Sequence, residues 1–355
     1  MHQLLRGTLS LNHSYRSNVP KVSKLIIQIP CLNEASTLPQ TLADLPKAIA
    51  GIETIEVLVV DDGSTDGTAD VAKEYGVHHV VRLRNNKGLA AAFMVGIDAS
   101  VRHGADFIVN TDADNQYAGA DIGKLVQPLV DGTADIVIGD RNIRTLRHMP
   151  MLKRWLQQIG SWVVRQVSGT RVPDTTSGFR AYTREAALRQ TLVSDFSYTL
   201  ETIIQAGKKR MAITHVPVTT NEQTRPSRLF DSVFTYIKKS TATIVRIYAM
   251  YEPLKVFSLA GLGTFSVGFA ISLRFLYYYL IGEGSGHLQS IILSAVLMIV
   301  GFQIILIGLM ADVISANRKL TEELLYRVRS LELPKRDKSD PDLDKLDHNT
   351  EKDRV

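Results

Sequence analysis

FIVNTDADNQY, Phe107 to Tyr117, decides how this chain is read. The apolar run Phe107, Ile108 and Val109 predicts a buried parallel strand, and it ends abruptly in Asp112, Ala113 and Asp114, with Gln116 two residues on. Ligands of open α/β sheets bind at such carboxyl ends. Two carboxylates one residue apart on a segment leaving the sheet can converge on one hard cation, magnesium or manganese, whose other positions stay open to water and phosphate oxygens. Taken alone, the same residues also describe a solvated acidic loop. The rest of the chain has to decide.

Working outward, the same pattern recurs. KLIIQIP, Lys24 to Pro30, predicts a first strand turning at Cys31, Leu32, Asn33 and Glu34, with Ser36 and Thr37 as caps for a helix from near Pro39 to about Ala50. EVLVVDDGSTDGT predicts a second strand, Glu56 to Val60, that breaks at Asp61, Asp62, Gly63 and Ser64, with Thr65 or Asp66 capping the helix from Thr68 to Tyr75. HHVVRLR leads through Asn85, Asn86, Lys87 and Gly88 into an alanine-rich helix, Leu89 to about His103. ADIVIGDR gives a fifth strand ending at Asp140 and Arg141, and MAITHVPV a last one. Strands spaced by helices imply βαβ crossovers in a mainly parallel sheet. Asn33, Glu34, Asp61, Asp62, Asp112, Asp114 and Arg141 then converge on one sheet edge. No G-x-G-x-x-G and no Walker loop occurs, which argues against dinucleotide oxidoreductases and phosphate-loop hydrolases.

Between these strands, Pro150 to Ser168 reads as an amphipathic helix with Trp155, Ile159, Trp162 and Val163 on one side. GTRVPDTTSGFRAY, Gly169 to Tyr182, reads as a turn-rich loop carrying Asp174, Ser177 and Arg180, and FSYTLETIIQAG as a helix placing Glu201 among apolar neighbours. Arg225 and Arg228 follow the last strand, as phosphate ligands or as ordinary surface arginines.

The 355 residues and 39.4 kDa allow one large domain plus an appendage. Mean hydropathy of +0.01 hides an uneven spread, because 256–311 is mostly apolar. The charge of +5 and pI near 9.1 come without a basic stripe interleaved with aromatics, so a membrane surface is expected and nucleic acid is not. One cysteine, Cys31, excludes an internal disulfide and fits a reducing compartment. Residues 1–23 lack a continuous apolar core and read as a flexible leader, with the α/β domain at 24–227. In 228–252, Leu229, Val233, Ile237, Ile244 and Tyr248 recur at helical spacing among Lys238, Lys239 and Arg246. That pattern suits a helix in the membrane interface or one packed on its own domain.

Within 253–312, two spans, about 254–280 and 288–312, are each roughly 20 apolar residues or more, enough to cross a bilayer. Lys238, Lys239, Lys255, Arg318 and Lys319 flank one end, while IGEGSGH between the spans has no lysine or arginine. The positive-inside rule therefore places the large domain and the C-terminus in the cytoplasm. A further cytoplasmic helix, 313–334, and a charged disordered tail, 335–355, complete the expected layout.

IPCLNE, VVDDGSTDGT, DADNQY, GDR and SGFRAY, in this order, resemble the family-2 inverting glycosyltransferases of GT-A fold. The two spans extend the resemblance to the polyisoprenyl-phosphate branch, which includes dolichol-phosphate mannose synthases and bacterial undecaprenyl-phosphate sugar transferases. The resemblance implies that Pro30, Asn33 and Glu34 frame a nucleotide pocket with Lys87 nearby, and that Asp61 or Asp62 contacts the base. It implies that Asp112 and Asp114, with Gln116, hold Mg2+ or Mn2+ and the donor diphosphate. Arg141, Arg180 and Asp174 would lie in the active site, and Ser177, Arg180, Arg225 and Arg228 would meet the acceptor phosphate. TRPSRL departs from the Arg-x-x-Gly-x-Ser-Lys pattern frequent before the interfacial helix, with Arg228 where lysine is common.

The expected partners are a UDP- or GDP-sugar, a polyprenyl phosphate and membrane lipid, with homo-oligomerisation open. A saccharide-extending transferase, which would need Asp174 or Glu201 as base, and a non-catalytic nucleotide-sugar-binding scaffold are the alternatives.

Overall fold

The computed structural model describes residues 23–142, 151–192, 198–221, 241–242, 245–246, 248–282 and 288–332. Arg225 and Arg228, the leader, the charged tail and most of the expected interfacial helix lie outside them; the described residues between 241 and 251 are helical.

Among the described residues, seven strands form one sheet: β1 (Lys24–Cys31), β2 (Thr54–Asp61), β3 (His79–Arg82), β4 (Phe107–Asn110), β5 (Ile136–Asp140), β6 (Arg180–Thr183) and β7 (Ile213–Pro217), in the order β3-β2-β1-β4-β6-β5-β7. Neighbours pair in parallel except β6, which runs antiparallel to both β4 and β5. The turn-rich reading of Gly169 to Tyr182 missed this strand. Only four residues long, it has no apolar run to announce it.

Helices cover both faces, which is why the strands read as continuous apolar runs. Along β1, Ile26 packs against α3 (Leu89–Arg102), while Leu25, Ile27 and Ile29 face the layer of α1 (Leu38–Asp44), α2 (Thr68–Glu74) and α4 (Ile122–Val130). In β4, Ile108 joins the first face and Phe107 and Val109 the second. All are fully or almost fully buried, worth roughly 1.5–3 kcal/mol per side chain relative to exposure. The period of two therefore aims Asn110, which pairs with Arg180 across the strands, at the first face. There it meets α7 (Tyr198–Lys208).

Several local expectations are corrected. α1 stops at Asp44 rather than Ala50, and Thr37 gives its hydroxyl to Glu34 Oε2 (2.7 Å) instead of capping it. At α2, Asp66 Oδ1 accepts from the Thr68 amide at 3.0 Å. In α5 (Met151–Ser168) Trp162 is exposed, and Val164, two positions on, is buried in its place. Beyond α6 (Arg184–Leu188), α8 (Pro253–Leu280) and α9 (Leu288–Glu332) form an antiparallel hairpin. The expected break near 312 is absent: α9 is one 45-residue helix. Both carry an 18-residue stretch apolar enough to cross a membrane, of which only 11% and 17% is buried within the protein.

Candidate functional site

The chain winds outward from β1 in one direction through β2 and β3, and in the other from β4. The crevice beyond the carboxyl ends of β1 and β4 is thus a topological switch point, where open α/β sheets bind ligands. Pro30, the last residue but one of β1, lies opposite Val60. Asn33 then takes a left-handed conformation (φ 55°), tolerated by Asn. It fastens the first loop to the second: its amide donates to Ser64 Oγ (2.9 Å) and its Oδ1 accepts from the Thr65 amide (2.9 Å). Glu34, 8% exposed, donates its amide to Thr68 Oγ1 at 2.9 Å.

Asp61 and Asp62 separate by role. Asp62 accepts the amides of Lys87 (2.7 Å) and Gly88 (2.8 Å), one on each oxygen, and so braces the loop that carries the exposed Lys87. Asp61 Oδ1 accepts from the Ser64 amide at 2.8 Å, but its buried Oδ2 makes no hydrogen bond; Arg82 Nε, 3.3 Å away, pairs with it by charge only. A buried acceptor left open is costly. Of the two, Asp61 is therefore the one with an oxygen left open. Gly63 (φ +75°) is required between the loops, since a Cβ there would stand 2.7 Å from the Asn85–Asn86 peptide.

The Asp112 loop is held from three sides. Thr41 Oγ1 donates to the Ala113 carbonyl (2.9 Å), Asn221 Nδ2 to the Asn115 carbonyl (2.9 Å), and Asn115 sits at φ 55°. Gln116 binds Asp114 twice, through its backbone amide (3.2 Å) and through Nε2 (2.8 Å). Below Asp112, Asn110 Nδ2 donates to the Gly178 carbonyl (2.9 Å) and to Tyr198 Oη (3.0 Å), and Asn110 Oδ1 accepts from Gln28 Nε2 (2.9 Å). The Tyr117 hydroxyl takes the Gly178 amide (3.2 Å), and its ring stacks on Phe179 at 4.8 Å. A Cβ on Gly178 would lie 2.8 Å from Tyr198 Oη and 3.1 Å from Asp112 Oδ1, so glycine lets the β6 approach reach the carboxylate.

Burial first, then the Asp114 charge, push the Asp112 carboxyl up to about 7, against the pull of Arg141. Such crowding marks negative charge that the protein leaves uncompensated. Two carboxylates and a carboxamide oxygen are hard donors that fit Mg2+ or Mn2+, and the same crowding is what a divalent cation would relieve.

Arg141 binds Asp174 through Nε (2.7 Å) and Nη2 (3.0 Å) and reaches Thr176 Oγ1 (2.8 Å). Burial raises the Asp174 carboxyl, but Arg141 outweighs it and holds the group below its ordinary value. Ser177 and Arg180 are fully buried. The Arg180 guanidinium donates to the Ser177 carbonyl (2.7 Å), Thr202 Oγ1 (2.6 Å) and the Thr175 carbonyl (3.0 Å). It ties β6 to α7 and does not open on the crevice, because strand alternation turns it to the same face as Tyr182. Glu201, 1% exposed, accepts from Gln205 Nε2 within α7. Burial and nearby carboxylates push the Cys31 thiol well up, so it is no nucleophile.

Asn110, Tyr117 and Tyr198 were not singled out from the sequence. One signal existed: Asn110 is a polar residue ending an otherwise apolar strand.

A mixed sheet with an acidic switch-point crevice defines a nucleotide-sugar transferase domain of GT-A fold. Residues 26–190 match the family model described as Glycosyl transferase family 2, and this chain belongs to that family. An uncharacterised protein of Methanocaldococcus jannaschii is 34% identical over 212 residues, 58% of this chain and 85% of that protein. Glycosyltransferase AglJ of Haloferax volcanii is 28% identical over 88% of this chain and its own full length. Polyprenol monophosphomannose synthase of Mycolicibacterium smegmatis is 29% identical over 58% of this chain and 81% of its own. Among solved structures, glucosyl-3-phosphoglycerate synthase from Mycobacterium tuberculosis, in complex with Mn2+, UDP and phosphoglyceric acid, superimposes with a TM-score of 0.51 at 19% identity. The superposition covers 64% of this chain and 78% of that one.

Proposed function

We propose that this chain transfers a hexosyl unit from a UDP- or GDP-sugar to a polyprenyl phosphate, with inversion, at the cytoplasmic surface of the membrane its hairpin crosses. The names of its relatives support the acceptor class: a polyprenol monophosphomannose synthase and an undecaprenyl-phosphate mannosyltransferase of Micrococcus luteus are among them.

The observation that carries the reading is the Arg141–Asp174 pair. A hydroxyl acceptor needs a base, and the two candidates the sequence offers for that work, both among the described residues, are committed, Asp174 to Arg141 on both oxygens and Glu201 to Gln205 inside α7. A phosphate monoester is already largely ionised near neutral pH and needs none. Its oxygen bonds to the anomeric carbon as the bond to the donor diphosphate breaks, and the electron pair leaves with the diphosphate. No proton moves.

Mg2+ or Mn2+ on Asp112, Asp114 and the Gln116 carboxamide oxygen would neutralise charge on the leaving diphosphate. Asp61 Oδ2 receives the base, and Asn33 and Asp62 keep the two nucleotide loops in register. Arg141 contributes fixed positive charge beside the carboxylates. The protein's work is positioning and electrostatics.

The test uses the full chain in lipid with undecaprenyl phosphate, manganese and labelled UDP- and GDP-sugars, scoring label in the organic phase. One donor should give label that chelator and Asp114→Ala both abolish. Label appearing only on a lipid-linked saccharide, or nucleotide binding with no transfer from any donor, would overturn the reading.

A further inference from the structure

The opposite edge of the sheet carries a second concentration of charge. Because β6 is antiparallel, Thr183 lies opposite Phe107 at the start of β4, and β7 begins opposite Ile136 at the start of β5. Arg189, after α6, and Lys208 and Lys209, before β7, therefore sit at the edge remote from Asp112. The last part of α9 runs past them: Ser315 Oγ donates to the Met250 carbonyl (2.9 Å), and Arg329 to the carbonyls of Leu188 (3.4 Å) and Gln190 (3.1 Å). Between α9, the residues before α8 and this edge lies a cavity of about 220 Å3, far above the ~10–15 Å3 that one water needs. Arg189, Lys208, Lys209 and Lys319 supply its cations, and Tyr251 and Tyr326 its aromatic walls.

Each carboxylate lining the cavity is shared between two cations. Glu322 takes Lys209 (3.1 Å) and Arg318 (2.8 Å); Glu252 takes Lys208 (2.9 Å) and Lys255 (3.1 Å); Glu323 takes Arg189 (3.6 Å) and Arg327 (3.3 Å). With exposed Lys319 added, and with Glu185, which also pairs with Arg189 at 3.2 Å, seven cations meet four carboxylates among the described residues. Burial lowers the Lys209 ammonium, Glu322 raises it, and Arg318 and Arg189 lower it further, to a net fall. Arg189 lies 4.1 Å over the Tyr326 ring and Arg318 4.2 Å over Tyr251. These contacts hold guanidinium groups in place without neutralising them.

We propose that this cavity binds a phosphate-bearing anion, either a phospholipid headgroup or a free phosphate compound. Guanidinium grips phosphate oxygens bidentately and ammonium adds point charge. The position suits a headgroup: Lys255 is the third residue of α8, and Lys319 stands eight residues past the apolar run of α9, about 12 Å at 1.5 Å per residue. A bound anion would join the catalytic domain to both membrane helices at once. The site stands apart from the crevice, so its test does not depend on which sugar or acceptor the enzyme uses.

The experiment titrates the full chain in dodecyl maltoside with phosphatidylglycerol, phosphatidylcholine or pyrophosphate, reading bound species by native mass spectrometry. Phosphatidylglycerol retained in preference to phosphatidylcholine, and weakened at least tenfold in Lys209→Gln/Lys319→Gln, supports the site and assigns it to lipid. Pyrophosphate showing that dependence while phosphatidylglycerol does not supports it and assigns it to a soluble ligand. Lys319→Gln alone guards against misfolding, since that exposed side chain forms no ion pair with a described residue; it should weaken the anion several-fold at unchanged Tm. Affinities for phosphatidylglycerol and for pyrophosphate that neither variant alters would overturn the proposal.

Discussion

Two carboxylates show how burial alone fails to distinguish function from structure. Asp112 is raised to about 7 because burial and Asp114 outweigh its cations, whereas burial of Glu56 is outweighed by hydrogen bonds from His79 and Lys24 that lower it from 4.5 to about 2. Crowded like charges signal a ligand, and a satisfied pair signals a brace. Glu56 sits in β2, 2.7 Å from Lys24 of β1 and 2.8 Å from His79 of β3, across three adjacent strands. Since its folded value lies below the unfolded one, its contribution is complete above about pH 4.5 and is lost as pH falls through 2. Glu56→Gln should therefore cost about 1–2 kcal/mol at pH 7, allowing for its partly exposed edge. The deficit relative to the parent should shrink steadily between pH 4.5 and 2.5 in urea melts of both proteins. An equal deficit at pH 7 and pH 3 would show that packing, not charge, is what the substitution removes.

At the level of elements, legibility followed the strength of the apolar period. β1, β2, β4 and β5 end where their hydrophobic runs break, because both faces are buried and any polar residue marks the exit. β6 was hidden because Arg180 and Thr183 make up half of it, and its antiparallel insertion is decided by contacts with β4 and β5 that no local pattern reports. The strand exit that carries Asp112 and Asp114 was legible for the same reason as the strand, whereas the fully buried place of Arg180 in β6 was not. The apolar runs of the hairpin were legible, but the unbroken length of α9 and the packing of the two helices were not. A Cβ on Gly301 would stand 2.6 Å from the Phe265 amide nitrogen and 2.7 Å from the Gly261 carbonyl, so glycine there sets how closely α8 and α9 meet. Gly263, on the same hairpin, faces open space. Gly301→Leu should cost about 1–3 kcal/mol and lower Tm in detergent, while Gly263→Leu should leave it near the parent value. Equal effects would mean that the two helices are not held by this approach.

Across the whole molecule, α9 extends a candidate membrane helix into a strut. Its apolar first half ends near Ala311, yet the helix continues unbroken to Glu332, and that continuation is what meets the catalytic domain. The contacts are polar: Lys209 to Glu322, Arg189 over Tyr326, and Arg329 to the Leu188 and Gln190 carbonyls. A polar seam of this kind holds orientation more than it adds stability, since each exposed or half-exposed pair is worth about 1 kcal/mol or less. The sheet has its own core and does not need the strut to fold. Proline in mid-helix removes a hydrogen bond and kinks the axis, at about 3 kcal/mol or more. Ala316→Pro should accordingly detach the seam while leaving the domain intact. Hydrogen exchange should quicken in 184–192 and 208–211 and stay unchanged in β1 and β4. If protection falls throughout the sheet, the strut is part of the fold; if it falls nowhere, the domain is oriented by contacts other than α9.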